Sequence, residues 1–250
     1  MNDTDAAVYN LVIANRILGR EGVVDAFGHV SVRHPNNPGR YFLARSRSPE
    51  LVVESDIMEF DLHSNAIDQR GRTVYSERFI HGCIYKARTD VMAVCHSHAH
   101  AVVPFTVTDT MIKPIWVMSA AIGDNVPIWD IRDDFPNEKT MLVINDATGV
   151  SLAKTLGAGR AALMRGHGAV IATDDIKRTV MVSIGLMRNA EMLMQAHILS
   201  FTQGKADHVK FLNEGEVEFT TDVLFSPRGL ERAWEYWKRR AGFAIEDDSN

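Results

Sequence analysis

The sequence belongs to the α/β class, because segments with apolar residues at helical spacing alternate with segments in which they fall on every second position. Size and composition agree with that class. With 250 residues, 46% of them hydrophobic and 24% charged, the chain can bury a sizeable core. We read it as one domain over residues 1–250, with an aromatic and basic tail from about residue 225.

Val8, Leu11, Val12 and Leu18 set a first helix, with Gly19 and Gly22 at its expected stop. "GHVSVRHP" then alternates valine with polar residues and "RYFLARS" reads as a second short strand, the Pro and Asn residues between them marking a hairpin turn. In "SERFIHGCIYKAR", Ser76 caps a helix, Glu77 lies in its first turn, and Phe79, Ile80, Cys83, Ile84 and Ala87 face inward. "DVMAVCHSH" follows as a buried strand. "MLVIN" reads as a later strand, "SLAKTLGAG" as a helix, and "AALMRGHGAVIAT" as two strands hinged on Gly166 and Gly168. A long helix runs from about Asp174 to Gln203, its methionines and leucines serving core or subunit packing. The tail "LERAWEYWKRRAGF" is aromatic and basic, and the final "EDDSN" is expected to fray.

A formal charge of −5 gives no general electrostatic reason to bind nucleic acid, and the basic cluster Lys238–Arg240 is short. The two cysteines, Cys83 and Cys95, lie inside apolar segments, as buried thiols do in a reducing cytoplasm. The start "MNDTDAAVYN" has no basic region followed by an apolar core, and no apolar run is long enough to span a bilayer. A cytoplasmic protein without membrane contact is expected.

The chemistry concentrates in "AVCHSHAH". In a strand, side chains two apart share a face, so His96 and His98 present two imidazoles to one point. A catalytic metal site usually takes three protein ligands, and His167 in "RGHGAVI" is the best third donor, flanked by glycines that let the backbone turn. Alternatively, paired histidines satisfy hydrogen bonds at a strand end. Glu77 opens the helix that leads into the histidine strand, so antiparallel packing returns His96 close to it. A carboxylate there serves as ligand or acid/base, or only as a helix-dipole partner.

"SERFIHGCIYKARTDVMAVCHSHAHAV", "MRGHGAVI" and the upstream "GHVSVR" together resemble the class II aldolase/adducin family over about residues 8 to 205. The resemblance implies a three-layer α/β/α fold with a central, mainly antiparallel sheet. It also implies that Glu77 is the acid/base group and that His96, His98 and His167 hold one divalent metal ion, Mn2+ or Zn2+, with Co2+ or Fe2+ also suited to imidazoles. Family members often form cyclic tetramers, so a homo-oligomer is implied, with Trp234, Tyr236 and Trp237 either closing a neighbour's pocket or packing in their own chain. His100 has no ligand role in the pattern and lines the pocket or caps a helix; His81, one turn beyond Glu77, is a candidate to support the ligands.

The chain departs from the sugar-phosphate aldolases of that family at their phosphate site. It has Gly28-His29 where they carry Gly-Asn, "ARSRS" at 44–48 where they carry a small glycine turn, and Tyr75-Ser76 where they carry Ser-Ser. Phosphate is bound by convergent backbone N–H groups, which a bulky "RSRS" segment does not supply. An arginine fork suits a carboxylate, so Arg45 or Arg47, with His29, Ser46 and Ser76, is expected to hold an acidic substrate. These departures are similar to a branch of the family that decarboxylates hydroxylated aromatic or pyridine acids. The expected activity is therefore a metal-dependent carbon–carbon lyase releasing CO2 from a small ortho-hydroxy aromatic or pyridine carboxylate, of the 3-hydroxy-2-methylpyridine-4,5-dicarboxylate or dihydroxyphthalate type. An aldolase or epimerase on a sugar phosphate or hydroxy acid, and a non-catalytic adducin-like scaffold, are the alternatives.

Overall fold

Several helices begin where a side chain takes over their first free backbone N–H groups. Our computed structural model describes residues 1–108, 110–204 and 208–245. Helix α1, Asp3–Arg20, starts where the Asn2 side chain accepts the Asp5 N–H, and it buries Leu11, Ile13, Ile17 and Leu18. Strands β1, His29–Arg33, and β2, Arg40–Ala44, form the expected hairpin, and β3, Ile57–Asp61, extends it. A 3₁₀ turn, Ser76–Arg78, leads into α2, Phe79–Ala87, and then into β4, Ala93–Ser97. Short pieces follow: α3, Val103–Thr106, a 3₁₀ segment at Val117–Ile122, β5, Ile128–Trp129, and α4, Ile131–Asp134. Helix α5, Asp146–Leu156, is capped by Asn145 and precedes β6, Ala161–Met164, and β7, Gly168–Thr173. Asp175 caps the long α6, Ile176–Thr202; α7, Glu214–Phe225, and α8, Pro227–Arg240, complete the described chain.

Among the described residues the strands form a seven-stranded sheet in the order β3-β2-β1-β4-β7-β6-β5, antiparallel except for the β5–β6 pair. Side chains alternate across it. Val30, Val32, Ala93, Cys95, Ala169 and Ile171 meet α1, α6 and Trp234 of α8 on one face. Val94, Val170, Ala172, Ala162 and Met164 meet Ile80, Ile84 and Leu152 of α2 and α5 on the other. The result is the three-layer α/β/α arrangement. Among the described residues no helix is long and apolar enough to cross a membrane.

Two expectations need correction. "MLVIN" is not a strand, because its backbone polar groups go elsewhere: the Val143 N–H donates to Glu77 Oε1 at 2.9 Å, the Met141 carbonyl faces His167, and the Asn145 side chain caps α5. The sheet edge there belongs to the two-residue β5. Ser76 does not cap α2; it lies in the 3₁₀ turn, and α2 begins at Phe79 with no side-chain cap. Strand β3 and helix α7 were not foreseen, although "IMEFD" buries alternate residues. The expected frayed end at 246–250 lies outside the described residues.

Candidate metal centre

Strand register brings the site together. In the antiparallel β1–β4 pair His29 stands opposite His96, so both rings project from the sheet face that carries α2. His96 is fully buried near the end of β4, and His98 follows one residue beyond the strand, with its Nε2 2.9 Å from His96 Nε2. His167 sits in the turn between β6 and β7. Gly166 takes a φ of +62° there, a backbone conformation that favours glycine. A Cβ on Gly168 would stand 2.0 Å from the Ser97 carbonyl oxygen, so only glycine lets β7 press this closely against β4. That approach places His167 Nε2 3.1 Å from His98 Nε2. Glu77, in the turn before α2, points Oε2 at His96 Nε2 (3.6 Å) and His167 Nε2 (3.4 Å). Glu77, His96, His98 and His167 offer ligand atoms within 4.8 Å of one another.

The far nitrogen of each ring tests whether this donor set fits a cation. His96 Nδ1 faces the Ala169 carbonyl at 3.2 Å, His167 Nδ1 the Met141 carbonyl at 3.2 Å, and His98 Nδ1 the Asp25 carboxylate at 3.0 Å. All three outer partners are acceptors, so each ring keeps its proton on Nδ1 and turns an Nε2 lone pair inward. Converging lone pairs repel unless a cation lies among them. Nitrogens about 2.0–2.1 Å from a tetrahedral ion sit roughly 3.3 Å apart, close to the spacing here. The residues therefore fit a divalent metal held by three imidazoles.

Burial works against charge on Glu77, but the His167 and His96 imidazoles that face Oε2 outweigh it and hold the carboxyl far below the usual range. Burial also opposes charge on His167, but the Glu77 partner raises its pKa. Burial lowers His98 to about 4, His81 to about 3, and His29 well below 6.5. Asp25 is held below 3.8: burial opposes its charge, whereas the Phe27 and Gly28 N–H groups and His98 favour it.

A cavity of about 500 Å³ opens onto the donors and is lined by Phe27, His29, Ser46, Arg47, Tyr75 and Ser76 among others. Arg47 and Arg45 both pair with the buried carboxylate of Asp56, at 2.9 and 2.7 Å, and Arg45 does not line the cavity. His81 does not support the ligands directly; its nitrogens face His29 and Ser31. His100 is exposed, does not line the cavity, and offers only its backbone carbonyl to Val103 N–H. Trp234 is buried against its own chain, while Tyr236 is 59% exposed.

Four contributors escaped the sequence reading. Asp25 carries a readable local signal, an Asx turn whose side chain accepts the Phe27 and Gly28 N–H groups, but its contact with His98 spans 73 residues. The backbone groups of Met141 and Val143 leave no residue-type signal. Phe27, 72% exposed at the cavity mouth, reads in sequence as an ordinary loop aromatic.

These groups gather at the strand ends of a mainly antiparallel sheet held between two helical layers. Residues 10–194 match the Class II Aldolase and Adducin N-terminal domain, and the chain belongs to that family. Decarboxylase tropJ of Talaromyces stipitatus is 32% identical over 239 residues, 89% of each chain. The 3,4-dihydroxyphthalate decarboxylase of Arthrobacter keyseri is 26% identical over 195 residues, 74% of this chain and 76% of its own. Among solved structures, an aldolase II superfamily protein from Pseudomonas syringae superposes with a TM-score of 0.79 at 17% identity, covering 96% of this chain and 94% of its own. That last likeness concerns the fold alone.

Proposed function

We propose that this chain is a divalent-metal-dependent decarboxylase of an ortho-hydroxy aromatic or pyridine carboxylic acid. The observation that carries the choice of CO2 over aldehyde is the likeness to decarboxylase tropJ across 89% of both chains. The cavity supports the choice, because Arg47 and two aromatic side chains, Phe27 and Tyr75, line it. A planar acid meets both needs.

His96, His98 and His167 would hold the ion. When bound, it supplies Lewis-acid stabilisation of negative charge developing on the substrate oxygen. Glu77 has Oε1 anchored by Val143 N–H, and Oε2, which faces His96 and His167, is the oxygen that takes a proton. It takes the ring hydroxyl proton as substrate enters and returns it to the carboxyl-bearing carbon. The carbon–carbon bond then breaks, its electron pair flows back to the ring oxygen, CO2 leaves, and water reprotonates the oxygen. Arg47, one guanidinium nitrogen already on Asp56, directs its remaining donors to a second substrate carboxylate.

A substrate panel tests this reading. Metal-loaded protein is expected to release CO2 from at least one ortho-hydroxy aromatic or pyridine acid and no aldehyde from sugar phosphates. Aldehyde without CO2 would restore the aldolase alternative.

A further inference from the structure

Behind the cavity, β1 and α2 bury a chain of polar side chains that the proton transfers above do not use. Its links are His29 Nδ1 to His81 Nε2 at 2.7 Å, His81 Nδ1 to Ser31 Oγ at 2.7 Å, and Ser31 Oγ to Tyr85 hydroxyl at 2.8 Å. His81, Ser31 and Tyr85 are fully buried and His29 is 2% exposed, so no bulk water relieves a mismatched proton. His29 lines the cavity; with its Nδ1 engaged by His81, its Nε2 has no protein partner among the described residues.

Hydrogen-bond counting gives the chain one direction. The Tyr85 proton has Ser31 Oγ as its acceptor. Ser31 then has His81 Nδ1 left to receive its own proton. His81 carries hydrogen on Nε2 and donates it to His29 Nδ1. His29 must carry its hydrogen on Nε2. The opposite direction leaves the buried Tyr85 proton without an acceptor.

We propose that Tyr85, Ser31 and His81 are positioning residues that fix His29 as a neutral Nε2–H donor aimed into the cavity, so that the substrate must present an oxygen acceptor there. The His29 ring lies 5.2 Å from the His96 ring, which puts this acceptor next to the oxygen facing the metal centre. For an ortho-hydroxy acid the acceptor is a carboxylate oxygen, an assignment that rests on the decarboxylase reading. A ligand offering an N–H donor at that point would leave two donors opposed and is rejected.

The experiment is long-range proton–nitrogen NMR of nitrogen-15-histidine-labelled, zinc-loaded protein without substrate, which reads the tautomer whatever reaction is catalysed. His29 and His81 are expected as neutral Nε2–H tautomers. His29 found with its proton on Nδ1 would overturn the proposal even if CO2 release is observed. In Tyr85→Phe, the His29 signals are expected to move toward a mixture of tautomers while KM rises about 3- to 10-fold with a smaller change in kcat. Ser31→Ala, which breaks the next link, should do the same. Variants that fold, keep a pure Nε2–H His29 and leave KM unchanged would remove Tyr85 and Ser31 from this role.

Discussion

At the scale of single residues, Glu77 and the three imidazoles are assigned different jobs. His96→Ala removes one of three converging nitrogens, so metal content and CO2 release should fall together. Glu77→Gln keeps those nitrogens and removes the proton carrier: bound metal measured by atomic absorption should stay near the parent level while kcat drops about 100- to 10,000-fold. A Glu77→Gln enzyme with normal turnover would end the acid/base role. Part of this site could be read from residue types alone. His96 and His98 are two apart near a strand end, and period two puts them on one face. Asp25 could not be read in the same way, because its bond to His98 exists only after the chain has closed over 73 residues.

At the scale of elements, β1 and the β6–β7 turn are the informative pieces. The polar residues of "HVSVR" look like a solvent face in sequence, yet every residue of β1 is buried. His29 and Ser31 enter the chain to Tyr85, and Arg33 donates to the carbonyls of Val91, Pro38, Tyr85 and Arg88. Period two thus revealed the strand but not which side was wet, since that depends on the donors that α2 brings. "MLVIN" failed for the converse reason: an apolar run looks like a strand, but here its amide and carbonyl groups serve Glu77 and His167. Gly168→Ala offers a test at this level. A methyl group 2.0 Å from the Ser97 oxygen must part β7 from β4, which should cost about 1–3 kcal/mol in urea unfolding and weaken metal binding at least about tenfold. Unchanged affinity would mean that close strand approach is not what joins His98 to His167.

At the scale of the whole molecule, an antiparallel sheet gathers residues from distant parts of the chain, which local patterns did not reveal without family resemblance. The same gathering buries neutral histidines and so ties stability to pH. His29 and His81 have folded pKa values below 6.5, for His81 about 3, so the unfolded chain binds more protons in acid and stability falls with pH. His167, whose pKa is raised, acts oppositely, but its contribution is fully present below about pH 6. For metal-stripped protein, urea-unfolding stability should therefore fall between pH 6 and 5, by about 1 kcal/mol from His81 alone, with His29 and His98 acting in the same direction. A flat or rising profile would contradict their burial as neutral rings. The most direct test of the central claim is to strip the protein with chelator, add back Mn2+ or Zn2+, and follow CO2 release from a responsive ortho-hydroxy acid. No release is expected from stripped protein, with a rise that saturates near one ion per chain; full activity without metal would contradict a metal-dependent decarboxylase.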